Sequence, residues 1–498
     1  MSSFELLING FSNLFSFTNL FGCFVGVFLG TIVGVLPGVG PAATMTFMLP
    51  FTLGVSPETG LIMLTGVWFG SQYGGSTTSI LVNIPGEAAS VVTCIDGYQM
   101  TRKGRGGAAL ALVAIGSFIA GTFGVIGLQF FAPFLASAAL AFGPAEYFAF
   151  MILSFTILLG LAGESPAKGL MMFGLGFFIS EIGISPMDGV PRFTFGIDNL
   201  MLGISFVPVA VGVFGIAEIL SISIETYVKP ILTKIRIRDL YPSSDEIKRS
   251  VGPTIRGSIL GFFMGLLPGP CTVLSTFISY SMEKKISKFP NKFGEGMIEG
   301  VVGPESANNS AVMGSMIPLL TLGIPFAAPC AIMLAGLRMH NIYPGPLLFI
   351  ETPHIFWTFI AAMYLGNFML LILNLPLVGF FARIAMIRPS MLMPFVNIIC
   401  LLGVYSIRNS FFDVWIMIIS GIFGLLFRIW KFPIAPLIIG IVLGPMTEYN
   451  LRKSLVLFDG KLYLMFTRPI SAAFLITTMI FISYKLFRFF WDRYYKSC

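Results

Sequence analysis

The sequence predicts an all-α polytopic membrane protein of about 10–12 transmembrane helices plus broken or re-entrant helices, built as two internal repeats that we expect to be inverted. Three observations carry this expectation. Of 498 residues, 56% are apolar and 11% charged, with a mean hydropathy of +0.89, whereas soluble domains carry roughly 25% charged residues. Continuous apolar runs recur at lengths that approach the roughly 20 residues needed to span a hydrocarbon core. Shorter apolar segments are interrupted by Gly and Pro at matching places in the two halves of the chain. A β-barrel is excluded, because its signature is alternating segments of about ten residues.

The N-terminus, MSSFELLINGF, has neither a basic start nor a small-residue cleavage site, so we expect it to be retained. The first apolar run closes in GVLPGVGP from Gly34. Proline removes a backbone donor and clashes with the preceding turn, while glycine tolerates positive φ, so Leu-Pro-Gly stops a helix and frees its terminal polar groups. In lipid such groups cost several kcal/mol each and are tolerated only against protein or a water-filled cavity. Next comes YGGSTTSILVNIPGEA, with Gly74 and Gly75, the hydroxyls of Ser76, Thr77, Thr78 and Ser79, and Asn83 before Ile84-Pro85. That composition reads as a helix N-cap, whose free amides and positive dipole end suit an anion. Asp96 and TRKGR (Thr101–Arg105) then read as a cytoplasmic turn. Runs Leu110–Ala141, Tyr147–Ala162 and Leu200–Ile224 complete the first half.

Lys229, Lys234, Arg236, Arg238, Lys248 and Arg249 crowd the middle of the chain, which the positive-inside rule makes cytoplasmic. The expected organisation is therefore a first transmembrane repeat at 1–226, a cytoplasmic linker at 227–252, and a second repeat with C-terminal helices at 253–498. In the second half GLLPGPCT, from Gly265, answers GVLPGVGP, and GSMIPLLTLGIPFA, from Gly314, answers GSTTSILVNIPGEA. Order and approximate spacing are both kept. Weak internal symmetry with short, Gly/Pro-interrupted segments points to a secondary transporter whose site lies at the breaks. Runs Ile355–Leu373, Phe411–Phe427 and Ile470–Leu486 follow, and the aromatic, basic C-terminus YKLFRFFWDRYYKSC reads as an interfacial belt with a cytoplasmic tail.

Candidate substrate- or ion-binding residues follow from the breaks. They are Gly38, Gly40, Gly75 and Gly269 for close backbone approach, Ser76, Thr77, Thr78 and Asn83 in the first half, and Glu305, Ser306, Asn308 and Asn309 in GPESANNSAVMGSMIP. A sodium site is expected near Gly38, Glu305 and Asn309. Carboxylates in or beside apolar segments (Glu87, Asp96, Glu146, Glu164, Glu181, Glu295, Glu299 and Glu305) are functional by default; Glu305 is favoured, while Glu295 sits by a basic, solvated stretch. The net charge of +7 is explained by cytoplasmic loops and calls for no nucleic acid. The six cysteines are scattered and suggest neither a disulfide framework nor a metal site. His340 and His354 stand in no catalytic motif, and Gly460-Lys461 is followed by Leu462, so no phosphate-binding loop is present. An intramembrane enzyme would need a nucleophile and base that the sequence does not bring together; an anion channel would also use broken helices but would not require them to be paired between halves.

Across nearly its whole length the chain resembles the large membrane subunit of the tripartite tricarboxylate transporter family, TctA type. The carrying motifs are GVLPGVGP, YGGSTTSILVNIPGE, DGYQMTRKGRGGAAL, GLLPGP, EGVVGPESANNSAVMGSMIPLLTLGIP, IYPGPLLF, FPIAPLIIGIVLGP and FTRPIS. It departs from the family pattern at Pro270 and Cys271 and at FAAPCA (Phe326–Ala331). The resemblance implies a secondary transporter of the bacterial inner membrane, not an enzyme, that imports small di- or tricarboxylates on an ion gradient of sodium or protons, without a cofactor. It further implies two partners, a small membrane subunit of TctB type and a periplasmic solute-binding protein of TctC type.

Overall fold

The computed structural model describes residues 3–36, 40–161, 165–185, 187–224, 237–384 and 389–496. The first half comprises α1 (Ser3–Leu14), α2 (Phe17–Val35), α3 (Pro41–Thr52), α4 (Pro57–Val82), α5 (Val91–Arg102), α6 (Gly106–Ala139), α7 (Pro144–Leu161) and α8 (Pro166–Ser180). A two-residue hairpin, β1 (Gly183–Ile184) with β2 (Pro191–Arg192), leads to α9 (Asp198–Met201), α10 (Phe206–Ala210), a π-helical turn Val211–Ile216 and α11 (Ala217–Ile224). The second half comprises α12 (Ser244–Gly265), α13 (Cys271–Ile286), α14 (Glu299–Leu322), α15 (Ala328–Met339), α16 (Leu348–Glu351) and α17 (Pro353–Asn374). After these come α18 (Val378–Ile384), α19 (Pro389–Arg408), α20 (Phe411–Ile429), α21 (Ile434–Leu457) and α22 (Pro469–Lys496). Among the described residues α2, α6, α17, α20 and α21 are long and apolar enough to cross a membrane, and five shorter apolar helical stretches accompany them. The protein is an all-α polytopic membrane protein, as the composition predicts.

The Gly/Pro signals end helices where the sequence places them. The α2 helix stops at Val35 and α3 starts at Pro41; α12 stops at Gly265 and α13 starts at Cys271. Gly269 takes φ +131°, a value that favours glycine, and its N–H donates to Phe326 O at 3.1 Å. The two Ile-Pro breaks follow left-handed caps, Asn83 at φ 58° after α4 and Gly323 at φ 69° after α14. The order of long helix, break, helix, long helix, left-handed cap and shorter helix thus occurs at 17–102 and again at 244–339.

Backbones meet at the centre of each half because glycine recurs every fourth residue on facing helices. Gly22, Gly26, Gly30 and Gly34 of α2 face Gly66, Gly70 and Gly74 of α4, and a Cβ on Gly30 would lie 2.4 Å from Val67 O. On α12, Gly257, Gly261 and Gly265 face α14 in the same way, a Cβ on Gly261 falling 2.1 Å from Ala307 O. Small residues at this spacing let membrane helices approach closely, where packing and not hydrophobicity drives association. Each pair is then covered by a helix of the other half, α14 by α6 and α4 by α17. Asn367 of α17 ties the layers together, accepting from Tyr73 Oη at 3.0 Å and donating to Phe118 O at 2.8 Å.

One end of the molecule is basic and laced with ion pairs: Arg105 with Glu246, Arg249 with Glu299 at 2.7 Å, and Arg256 with Glu283 at 2.6 Å. Asp96, read from sequence as part of a turn, is fully buried inside α5. Its Oδ1 accepts from the N–H groups of Gly294, Gly296 and Met297 at 2.7–2.9 Å, and its Oδ2 from Tyr280 Oη at 2.9 Å. TRKGR does turn, at Lys103 and Gly104, but Asp96 lies five residues before Thr101 and within the helix, where its carboxylate satisfies amides of the loop before α14. Asp96→Ala, which strands those amides, is expected to lower stability by about 3 kcal/mol or more, read as a lower melting temperature and faster proteolysis between Ser287 and Ile298, with Asp96→Asn milder.

Candidate functional site

The α4 and α14 helices are the two most deeply buried elements, α4 from Thr59 to Leu81 and α14 from Gly300 to Leu322 without an exposed position. Both carry polar residues there, and inside a bilayer protein such groups must find partners. Local back-bonding satisfies several: Thr77 Oγ1 donates to Tyr73 O at 3.2 Å and Thr78 Oγ1 to Gly75 O at 3.1 Å. The expectation that Ser76–Ser79 cap a helix start is therefore corrected. The stretch lies inside the continuous helix α4, where the hydroxyls of Ser76, Thr77 and Thr78 return to carbonyls of their own helix because no water competes; Ser306–Ser310 likewise lies inside α14.

What remains is a polar cluster between α4, α5 and α14. Glu305 Oε2 accepts from Ser76 Oγ at 2.6 Å, and its Oε1 accepts from Thr93 Oγ1. One turn along α14, Asn308 Nδ2 donates to Glu87 Oε1 at 2.8 Å. Gln72, with its amide nitrogen towards the carboxylate, donates to the same Glu87 oxygen at 3.0 Å while its carbonyl accepts from Trp68 Nε1 at 3.3 Å. Gly75 makes room, since a Cβ there would lie 3.0 Å from Glu87 Cγ. The other carboxylates singled out from sequence are accounted for elsewhere. Glu146 pairs with Arg468, Glu181 with Arg192 and Glu299 with Arg249; Asp96 holds amides, Glu295 is exposed, and Glu164 lies outside the described residues. Among the described residues Glu87 and Glu305 have no ion pair with Lys, Arg or His.

Beside this cluster opens a cavity of about 630 Å³, and the chain breaks converge on it. Its wall includes the starts of α3 at Gly40 and Pro41, α13 at Gly269–Cys271, α15 at Ala327–Pro329 and α21 at Pro433–Pro436, together with Glu87 from the turn before α5. Helix starts gathered around one volume bring positive dipole ends to it. Pro41, Pro270, Pro329, Pro433 and Pro436 have no N–H, and the N–H groups of Gly269 and Cys271 donate to Phe326 O and Gly269 O. The first-turn donors on the wall therefore include the amides of Ala42, Ala43, Thr272, Val273 and Ala328. The charged side chains on its wall are Glu87 and the ion pair of Arg428 with Glu218. An anion in this volume meets amides and one guanidinium; a cation or proton finds Glu87, and beyond it Glu305.

The structure thus brings Gly40 and Gly269 to the cavity, and Ser76, Glu305 and Asn308 to the adjoining cluster. Asn309 turns away from the Glu305 carboxylate, donating to Ser117 Oγ at 2.9 Å and Glu305 O at 3.0 Å. Ser306 Oγ is buried without a hydrogen-bond partner in the structure. Asn83 is an exposed cap, and Gly38 lies outside the described residues. Sequence reading missed Thr93 and Gln72 as partners and the Arg428–Glu218 pair. An acidic residue four positions after Asn83 and a hydroxyl in an otherwise apolar VVTC stretch were the available signals for the first group, whereas Arg428 is brought in by tertiary folding alone.

Comparison with known proteins agrees with this architecture. The model of the Tripartite tricarboxylate transporter TctA family matches residues 20–439. An "Uncharacterized 52.8 kDa protein in TAR-I ttuC' 3'region" of Agrobacterium vitis is 48% identical over 467 residues, covering 94% of this chain and 93% of that protein. An "Uncharacterized protein in TAR-II ttuC' 3'region" of the same organism is 46% identical over 216 residues, 43% of this chain and 89% of that protein. No solved structure matches. The chain belongs to the tripartite tricarboxylate transporter TctA family.

Proposed function

We propose that the protein is the ion-coupled membrane subunit of a carboxylate importer, binding a small di- or tricarboxylate in the central cavity and its coupling ion, sodium or a proton, at Glu305 and Glu87. The observation that carries this reading is the convergence of four helix starts on one cavity next to two carboxylates that have no cationic partner among the described residues. Charge balance favours coupling. Glu218 and Arg428 offset one another, so the cavity wall is left with the charge of Glu87, and a multiply charged anion beside it is repelled unless a cation or proton arrives as well. Asn308 links the two sites, because it holds Glu87 at the cavity and stands one turn from Glu305.

Family membership supports the remaining parts of the proposal: a TctB-type small membrane subunit, a TctC-type periplasmic binding protein that delivers the substrate, location in the bacterial inner membrane, and no cofactor. The basic end marks the cytoplasm. The α4 helix ends near it, where Thr101 Oγ1 donates to Ile80 O at 2.6 Å, while α14 begins there at the Glu299–Arg249 pair. Opposite directions of corresponding helices support an inverted repeat and alternating access by rocking of one unit against another.

The test is uptake of labelled di- and tricarboxylates into vesicles carrying this chain with its small subunit, with and without a binding protein, under imposed sodium or proton gradients. Saturable uptake that requires one gradient is expected. A leak that neither saturates nor follows a gradient would turn the assignment to an anion channel.

A further inference from the structure

A second cavity, of about 780 Å³, lies where α14 and α15 end, against the middle of α21 at Pro445–Asn450. Arg338, in the last turn of α15, lines it and forms no ion pair among the described residues. Among the described residues its Nε is buried without a partner, and its one hydrogen bond goes from Nη2 to the thioether of Met446 at 2.9 Å. Around it stand neutral donors, Asn341, Tyr343, Tyr449 and Asn450; Glu351 also lines the cavity but is exposed and not paired with the guanidinium. A guanidinium carries five donors in a planar fork suited to carboxylate, and one left largely unmatched beside an open volume is short of an anion.

Position gives the cavity a role. The α14 helix has 24 residues, hence about 36 Å of length at 1.5 Å per residue. It starts at the basic end with Glu299 and finishes at Leu322, which lines this second cavity. The central cavity lies between, and the break after α14 separates the two: Leu322 faces the outer volume and Phe326 and Ala327 the inner one. We propose that the outer cavity is an entrance site for a small carboxylate, at the end of the molecule opposite the basic loops, with Arg338 as its charge anchor. This rests on the importer reading and adds to it a first stop on the path of the anion.

Citrate and succinate serve as probes, with full-length protein in phosphatidylcholine nanodiscs for binding and vesicles for uptake. Arg338→Gln is expected to weaken binding and raise the KM for uptake by about 10- to 100-fold, the worth of a charge-assisted hydrogen bond, with maximal uptake kept at saturating substrate. Arg338→Lys, which keeps the charge but not the fork, is expected to lose less, and it serves as the decisive variant should Arg338→Gln fail to insert. Unchanged KM and binding in an inserted variant would overturn the site. So would loss of citrate binding on adding phosphatidylglycerol, since the arginine would then be holding a lipid phosphate. If wild-type vesicles transport neither probe while Arg338-dependent citrate binding persists, the importer reading fails and the site stands.

Discussion

Glu305→Gln is expected to cut gradient-driven uptake by ~100-fold or more, equivalent to about 2.7 kcal/mol on the limiting step, while leaving the protein inserted and folded. Its side chain is 1% exposed and has hydroxyl donors from two separate elements, Ser76 on α4 and Thr93 on α5. An ionised carboxylate buried in this way costs several kcal/mol unless a cation or proton neutralises it. Glutamine has the same shape, and the hydroxyls can rotate to meet its amide, so packing survives and the exchangeable charge does not. Ser76→Ala and Thr93→Ala each remove one donor and are expected to change ion affinity by about 10-fold, near 1.4 kcal/mol. Glu87→Gln should alter the KM for substrate as well, because Glu87 also stands on the cavity wall. Ion-dependent uptake across these variants measures all four effects, and a Glu305→Gln protein with the wild-type rate and the same gradient dependence would remove this carboxylate from the proposed coupling.

The helix breaks were legible because their causes are local. Leu-Pro-Gly and Ile-Pro act through φ restriction and a missing donor, and the chain ends helices at Val35, Val82, Gly265 and Leu322 accordingly. The polar stretch Ser76–Ser79 was misplaced as a cap for the opposite reason, since in a buried helix tertiary context overrides the preference of Ser and Thr for helix ends. Glu305 was found as a lone ionisable group in an apolar stretch, but its partner Thr93 comes from a segment 212 positions away, a distance that no local pattern reports. The fourfold spacing of Gly22, Gly26, Gly30 and Gly34 was equally visible and more informative than any single break, because it names the face on which two membrane helices touch.

That spacing leads to the second large effect. Gly30→Val and Gly261→Val are expected each to destabilise the protein by more than about 3 kcal/mol, beyond the usual range for an overpacked core, and to give poorly folded material. The reason is what the new side chain meets. At both positions a Cβ falls within 2.4 Å of a backbone carbonyl oxygen on the facing helix, so no neighbouring rotamer can yield and the helices themselves must separate. Gly174→Ala, inside α8, is the control, because among the described residues nothing lies within 4 Å of a Cβ there and alanine suits a helix interior, so its melting temperature should match or slightly exceed the wild type. If Gly30→Val melts like the control, the α2–α4 contact is looser than these distances require. A contact this tight also constrains how the transporter moves. In the transport cycle proposed above, the α2–α4 and α12–α14 pairs travel as rigid units, leaving α3, α13 and the breaks around the cavity to change relative position. A cysteine cross-link joining α2 to α4 should therefore leave uptake intact, while one joining the starts of α3 and α13 across the cavity should stop it.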